Sequence, residues 1–229
     1  EVPKVQMAAV SDLPQCDCLP ASADKIALYV APDGTVGVAW QSGVCALTPM
    51  ETQMLMPLLS SVNEVIGHNI KALMHTLDDM GIPSCAFAFD TALAAYDLNP
   101  SQSDYPVSKL ATSFLGVTAD DADAAQCAQC VWNLAPVLES ELAKQGMTNL
   151  YYDIELPLCG VLYRMEKAGI SIDRKQLEQF SDMLSQRIAD CEGLIFGYSD
   201  GSFNINSTKQ LGELLFDKLG LPPVKKTKT

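Results

Sequence analysis

Lys25-Ile-Ala-Leu-Tyr-Val30, Thr35-Val-Gly-Val-Ala-Trp40 and Val44-Cys-Ala-Leu47 are three short runs rich in apolar and β-branched residues. Pro32-Asp-Gly34 lies between the first two and Ser42-Gly43 between the last two, and both are turn sequences. A parallel pair needs a crossover of a dozen or more residues, far longer than these connections. The spacing therefore predicts an antiparallel three-stranded meander.

Downstream the apolar pattern shifts to the helical period and then alternates. A helix is expected from Glu51 to about Ser60, a strand at Glu64-Val-Ile-Gly67, and a helix from Ile70 to Met80 that Gly81 and Pro83 end. Cys85-Ala-Phe-Ala-Phe89 reads as a strand and Thr91 to Leu98 as a helix. Val107 to Leu115 and about Ala119 to Lys144 read as helices, with Pro136 a kink or restart in the second. A meander followed by such units predicts an α/β domain, a mixed sheet with helices packed on it. Residues 1–22 hold Pro3, Pro14 and Pro20 and few periodic apolar positions, so they read as a connector.

Past Lys144 only helices are expected. Pro157 opens or kinks a helix continued by Leu158, Val161, Leu162 and Met165, with Gly169 at its end. Asp173 and Gln176 have capping-box spacing ahead of a stripe of Leu177, Phe180, Leu184, Ile188, Cys191 and Ile195. A stripe of that kind is expected to be core. Gly201 to Thr229 then gives Ser207 as N-cap with Gln210 three residues on, and an apolar stripe of Leu211, Leu214, Leu215 and Leu219. Gly220 suits a left-handed position after the helix, and Pro222-Pro223 stop it.

Polar groups gather at both ends of this last helix. Asn204, Asn206, Ser207 and Lys209 crowd the amino end, where free backbone N–H groups favour an anion. Lys225, Lys226 and Lys228, interleaved with Thr227 and Thr229, follow the prolines. By composition alone this is an ordinary capped helix with a solvated basic tail.

The chain has 229 residues and a net charge of −13, unevenly divided. Residues 1–145 carry five Lys/Arg against 17 Asp/Glu, and residues 146–229 ten against 11. An acidic surface repels phosphate, so nucleic-acid contact is expected only in the second part, at the lysines. No apolar run is long enough to span a membrane. The amino end shows no secretory pattern, and the chain reads as cytoplasmic. Of the eight cysteines, Cys127 and Cys130 have metal-ligand spacing, yet His68 and His75 show no finger-type spacing to complete a zinc site. Buried free thiols are the expectation.

The order of residues in the second part carries more than its composition does. Phe203-Asn-Ile-Asn-Ser-Thr-Lys-Gln-Leu211, then Leu215-Phe-Asp-Lys-Leu-Gly-Leu-Pro222 and Lys225-Lys-Thr-Lys-Thr229, resemble the thumb of the family A DNA polymerases, the bacterial DNA polymerase I family. Asp153-Ile-Glu-Leu-Pro-Leu158 and Val161-Leu-Tyr-Arg-Met-Glu-Lys-Ala-Gly-Ile-Ser-Ile-Asp173 resemble the segment before it. The family usually has Pro where this chain has Thr208. Upstream, Ile66-Gly-His-Asn-Ile-Lys71, Phe89-Asp-Thr91 and Ala94-Ala-Tyr-Asp-Leu-Asn-Pro100 resemble pieces of that family's 3′–5′ exonuclease domain.

The resemblance implies a ribonuclease H-like exonuclease fold over residues 23–145, followed by an all-α thumb segment over 146–229. Such an exonuclease holds two divalent metals with carboxylates. Here the implied ligand positions hold Tyr29 and Ala31 on the first strand, Leu73, and Cys127. Phenol, methyl, isobutyl and thiol groups cannot replace carboxylates around magnesium, so the domain is expected to be inactive. Asp120, Asp121 and Asp123 offer a register-shifted substitute, with an acidic helix start the simpler explanation. Asp90 is tempting as a catalytic residue, although the family's ligands do not include that aspartate.

The parent implied by the resemblance is a monomeric DNA-directed DNA polymerase using Mg²⁺, whose palm and fingers would follow Thr229. Its partner is primer-template duplex DNA, met through Asn204, Asn206, Ser207, Lys209 and Lys225 to Thr229. This fragment alone is expected to be inactive and to hold no cofactor. The competing expectations are an active 3′–5′ exonuclease and an acidic interaction module unrelated to DNA.

Overall fold

A computed structural model describes residues 13–83, 85–199 and 201–222. The meander forms as expected: β1 (Lys25–Val30), β2 (Val36–Trp40) and β3 (Gly43–Leu47). Ile26 faces Trp40 and Val30 faces Val36 across β1 and β2, while Val36 faces Leu47 and Trp40 faces Gly43 across β2 and β3. A 3₁₀ turn, Thr52–Met54, leads into α1 (Leu55–Ser61). β4 (Glu64–Gly67) then joins β1 in parallel, with Lys25 facing Glu64 and Ala27 facing Ile66.

After α2 (Ile70–Asp79), β5 is only Phe89–Asp90 and lies parallel to β4. The sheet order is β3-β2-β1-β4-β5, a mixed five-stranded sheet. The strand expected over residues 85–89 is shorter than its sequence suggests. Pairing begins with the Ala88 N–H donating to Val65 C=O, while Cys85 and Phe87 pack against the layer beside α2.

Strand alternation sends side chains to two faces and makes two cores. Ile26, Leu28, Val38, Trp40 and Val65 point into one with Leu55, Leu58, Leu73 and Leu77. Ala27, Tyr29, Ala39, Val44, Ile66 and Phe89 point into the other, under α3 (Thr91–Leu98), α4 (Val107–Leu110, widening into a π turn Ala111–Leu115) and α5 (Ala124–Lys144). α5 crosses the sheet at close range because Gly37 has no side chain. A Cβ there would lie 1.8 Å from the Ala124 carbonyl oxygen and 2.9 Å from the Ala128 Cβ.

Pro136 does not interrupt α5, which runs through it with Leu134, Ala135, Val137 and Leu138 all buried. The helix starts at Ala124, later than the sequence suggests, because the Asp123 carboxylate accepts from the Gln126 N–H at 3.0 Å and caps it there.

Two compact units divide at Gly169 and Ile170. α6 (Thr148–Leu150), a π turn (Tyr151–Glu155) and α7 (Leu156–Ala168) therefore belong with the sheet, although their sequence groups them with the segment beyond. Side chains explain the attachment. The Tyr151 hydroxyl, fully buried, accepts from the Asp90 N–H at 2.6 Å and lies 3.1 Å from the Asp90 carbonyl. On α7, Glu166 meets Lys71 at 2.5 Å and His75 at 2.8 Å, and Lys167 meets Asp78 at 2.6 Å.

The second unit holds α8 (Arg174–Phe196) and α9 (Thr208–Gly212), which widens into a π turn, Glu213–Lys218. Asp173 caps α8 by accepting from the Gln176 N–H at 3.0 Å. The α8 stripe is not core: Leu177, Phe180, Leu184 and Ile188 are 41–58% exposed, because no described element of this unit covers them. The cysteines also depart from the expectation of burial. All eight are free, but only Cys45, Cys127 and Cys130 are buried, and Cys18 and Cys191 are exposed. Among the described residues no helix is long and apolar enough to cross a membrane.

Candidate functional site

The outer half of β1 and the start of α5 bring together three of the four positions singled out on the exonuclease-like segment. Tyr29, Ala31 and Cys127 share the core under α5, whereas Leu73 sits in the core on the other face of the sheet. Tyr29 donates its hydroxyl hydrogen to the Asp121 carbonyl at 2.9 Å, and the Cys127 thiol donates to the Asp120 carbonyl at 3.2 Å. The first bond ties the loop before α5 to the sheet, and the second ties that loop to α5 itself. Burial raises both acids: Tyr29 is held far above the ordinary phenol range, and Cys127 is pushed up to about 12, with Asp121 adding repulsion. Both are neutral hydrogen-bonding groups at any working pH.

The neighbouring aspartates are committed to the backbone. Asp120 accepts from the Ala122 N–H at 3.0 Å, Asp121 from the Ser108 N–H at 3.0 Å and also from its hydroxyl, and Asp123 caps α5. Mg²⁺ asks for hard oxygen ligands in octahedral array, and a phenol, a methyl and a thiol do not supply them. Among the described residues, no group of three or more His, Cys, Asp and Glu side chains is placed to hold a metal.

The buried Asp90 carboxylate gathers four backbone donors. One of its oxygens accepts from the N–H groups of Asn69, Ala92 and Leu93 at 2.8, 2.9 and 3.3 Å, and the other from Ile70 at 2.8 Å. It thus caps α2 and α3 at once, and Asn69 adopts a left-handed backbone (φ 53°) to present its N–H. Burial pushes its carboxyl up, against four donors that pull it down. Sequence patterning identified Asp90 as notable but could not reveal this role, since the α2 donors lie some twenty residues away.

Beside Asp90 a groove of about 590 Å³ is lined by His68, Lys71, Tyr96, Tyr105, Leu158 and Leu162, among others. His68 is held by its Nδ1 2.8 Å from the Thr91 hydroxyl, and its ring centroid lies 6.1 Å from that of Tyr29. Burial lowers its pKa to about 4, so the imidazole is neutral near pH 7. The Gly67-His-Asn-Ile-Lys71, Phe89-Asp-Thr91 and Ala94-Ala-Tyr-Asp-Leu-Asn-Pro100 fragments marked His68, Lys71, Asp90 and Tyr96 in the sequence, whereas Tyr105 gave no signal.

In the second unit, Asn204, Asn206, Ser207 and Lys209 do gather at the start of α9. The Ser207 hydroxyl accepts from the Gln210 N–H at 3.4 Å, and the Asn204 side chain accepts from the Asn206 N–H at 3.0 Å. The Gln210 side-chain oxygen accepts from the Asn204 N–H at 2.8 Å, so the reciprocal bond reaches three residues further back than a standard capping box. These bonds use the oxygens of Asn204 and Ser207 and leave Asn206 and Lys209 exposed. Gly220 has φ 64°, as its position after the helix requires. Lys225, Lys226, Thr227, Lys228 and Thr229 lie outside the described residues.

Comparison with known proteins bears on both units. The family model described as DNA polymerase family A matches residues 174–229. DNA polymerase I of Mycobacterium tuberculosis is 31% identical over 233 residues, covering 92% of this chain and 26% of its own length. DNA polymerase I of Geobacillus stearothermophilus is 36% identical over 169 residues, covering 65% of this chain and 19% of its own. The chain thus spans about a quarter or less of the curated relatives it matches. Among solved structures, the POL domain of Pol1 from M. smegmatis, in complex with DNA primer-template and dNTP, aligns with a TM-score of 0.74. That alignment has 27% identity and covers 89% of this chain and 38% of that one. A mixed-sheet unit, a helical unit and matches that run through both identify this chain as a region of the bacterial family A DNA polymerase I family.

Proposed function

We propose that this chain is the amino-terminal part of a DNA polymerase I large fragment, joining a non-catalytic 3′–5′ exonuclease-like domain to the start of a thumb that grips duplex DNA. Family membership sets aside the reading as an unrelated acidic module. The parent would be a template-directed DNA polymerase using Mg²⁺ in its palm, acting in replication and repair. The ribonuclease H-like assignment of the sheet belongs to this proposal, as do the sequence-family limits 1–22, 23–145 and 146–229, although the compact units themselves divide at Gly169 and Ile170.

The observation that carries the loss of exonuclease activity is the Tyr29 bond to Asp121. A group that should bind a cation is instead a neutral phenol hydrogen-bonded to the loop, with the Cys127 thiol bound beside it. The expected result is that 3′-labelled single-stranded DNA stays intact with this chain in either Mg²⁺ or Mn²⁺. Metal-dependent release of 3′ nucleotides that vanishes on changing Asp120, Asp121 or Asp123 would restore the active-exonuclease reading.

The DNA-binding surface rests on the lysines and on the amino end of α9. Asn206 and Lys209 are exposed there, and Lys225, Lys226 and Lys228 with Thr227 and Thr229 follow. Their donors suit phosphate and sugar oxygens, which position a duplex without reading its sequence. In the intact polymerase, replacing Lys225, Lys226 and Lys228 together by Ala should weaken binding about equally for all DNA sequences. The slope of log K against log[salt] should flatten by up to about 0.9 for each phosphate that a lysine no longer neutralises. Titration at two salt concentrations decides: a triple variant that binds like the parent at both would remove these lysines from the interface.

A further inference from the structure

Residues 14–16 add a short fourth segment to the meander, on the outer side of β3. Gln15 pairs in parallel with Val44: the Val44 N–H donates to the Pro14 carbonyl at 3.0 Å, and the Cys16 N–H donates to the Val44 carbonyl at 2.8 Å. One residue further along each strand, Cys16 comes opposite Cys45. Parallel neighbours have side chains on the same face, and both cysteines belong to the core layer beside Trp40 and Leu47. Gly43, two residues before Cys45 on that face, provides the space. A Cβ there would lie 2.6 Å from the Cys16 sulfur, so that sulfur rests on bare backbone.

We infer that Cys16 and Cys45 form an oxidant-responsive thiol pair that a hydroperoxide converts to a disulfide, clasping the chain entering the domain to the edge of the sheet. Adjacent strands lie about 4.7–4.9 Å apart, within the roughly 4.4–6.8 Å that Cα atoms of a disulfide span. The Cys16 thiol now meets the Pro14 carbonyl at 3.6 Å, and the pairing requires its side chain to rotate from there toward Cys45. Access sets the order of events. Cys45 is 2% exposed and burial pushes its thiol up to about 11, whereas Cys16 is only part-buried.

The Cys16 thiolate therefore attacks the peroxide first. Its sulfur takes one oxygen, the O–O bond breaks, and hydroxide leaves and is protonated to water. The Cys45 sulfur, giving up its proton, then attacks the Cys16 sulfenic sulfur. The S–S bond forms, the S–O bond breaks, and the second oxygen leaves as water. Two thiols are oxidised by two electrons in all, and one hydrogen peroxide is reduced to two waters.

Mapping the linkage tests this. The full chain is treated with one equivalent of hydrogen peroxide, its remaining thiols are alkylated, and it is unfolded and cut after lysine without reductant. Lys25 separates Cys45 from Cys16 and Cys18. The expected result is loss of two of the eight thiols and a cross-linked peptide that joins the segments on either side of Lys25. That species should persist in Cys18→Ser and vanish in Cys16→Ser. A Cys16–Cys18 bond, oxidation confined to the exposed Cys18 or Cys191, or no loss of thiols would each overturn the pairing. A cross-link in the parent that survives Cys16→Ser but not Cys18→Ser would overturn it as well.

Discussion

Asp90→Ala should destabilise the sheet unit by about 3–5 kcal/mol, near the upper end of single-residue effects. Four backbone N–H groups lose their acceptor together, and a buried donor left unsatisfied costs about 1–3 kcal/mol. The loss falls on two helix starts at once and on the left-handed Asn69, whose N–H then has no carboxylate to meet. Asp90→Asn should cost less, about 1–3 kcal/mol, because its one oxygen can serve three donors while its amide faces the fourth. Tryptophan fluorescence during urea unfolding is a suitable probe, since Trp40 on β2 and Trp132 in α5 both lie in this unit. An unfolding free energy for Asp90→Ala within about 0.5 kcal/mol of the parent's would show that water satisfies these groups and that Asp90 is no hub.

The capping role gives the Asp90 carboxylate a structural task, whereas the positions the family resemblance implied as metal ligands hold no carboxylate. Asp90 satisfies backbone groups that the fold leaves open whether or not any chemistry takes place. Tyr29, Ala31 and Cys127 occupy places where a carboxylate would have no such partner, and they fill them with packing and neutral hydrogen bonds.

What the sequence made legible follows the range of the interactions. The meander could be read because turn residues and strand runs adjoin, and the caps at Asp173 and Ser207 because donor and acceptor are three residues apart. Two-sided packing was not legible. Leu73 looked like a neighbour of Tyr29 by motif order, yet the sheet separates them, since α2 turns Leu73 and Leu77 toward the layer of Ile26 and Leu28. The attachment of residues 148–168 to the sheet was hidden for the same reason. Tyr151 and Asp90 are 61 residues apart, and Lys71 and Glu166 are 95. The α8 stripe shows the opposite limit: its spacing was read correctly, but periodicity alone does not say what covers a face.

Tyr29→Asp should cost about 3–5 kcal/mol at pH 8 and should not recreate a metal site. The substitution places a carboxylate on the first strand, but the surroundings are built for a donor. The Asp121 carbonyl accepts from the phenol at 2.9 Å, the Cys127 thiol is neutral, and the Asp121 carboxylate is among the charges that already repel ionisation at Tyr29. A carboxylate there loses the hydrogen bond, leaves space where the ring packed beside His68, and carries a buried charge with no cation nearby. Its folded pKa must then lie above its unfolded value. Protonation removes the charge penalty, so relative to the parent the variant should be most stable below about pH 4 and lose stability as pH rises through the folded pKa. Urea unfolding at pH 5 and pH 8, with and without millimolar Mg²⁺, separates the possibilities. The expected outcome is a larger deficit at pH 8 and no response to Mg²⁺, because Ala31, Leu73 and Cys127 add no carboxylate. A variant stabilised by Mg²⁺ at pH 8 would mean that Asp120, Asp121 or Asp123 can leave its backbone partner to complete a site, and the active-exonuclease reading would regain its ligands.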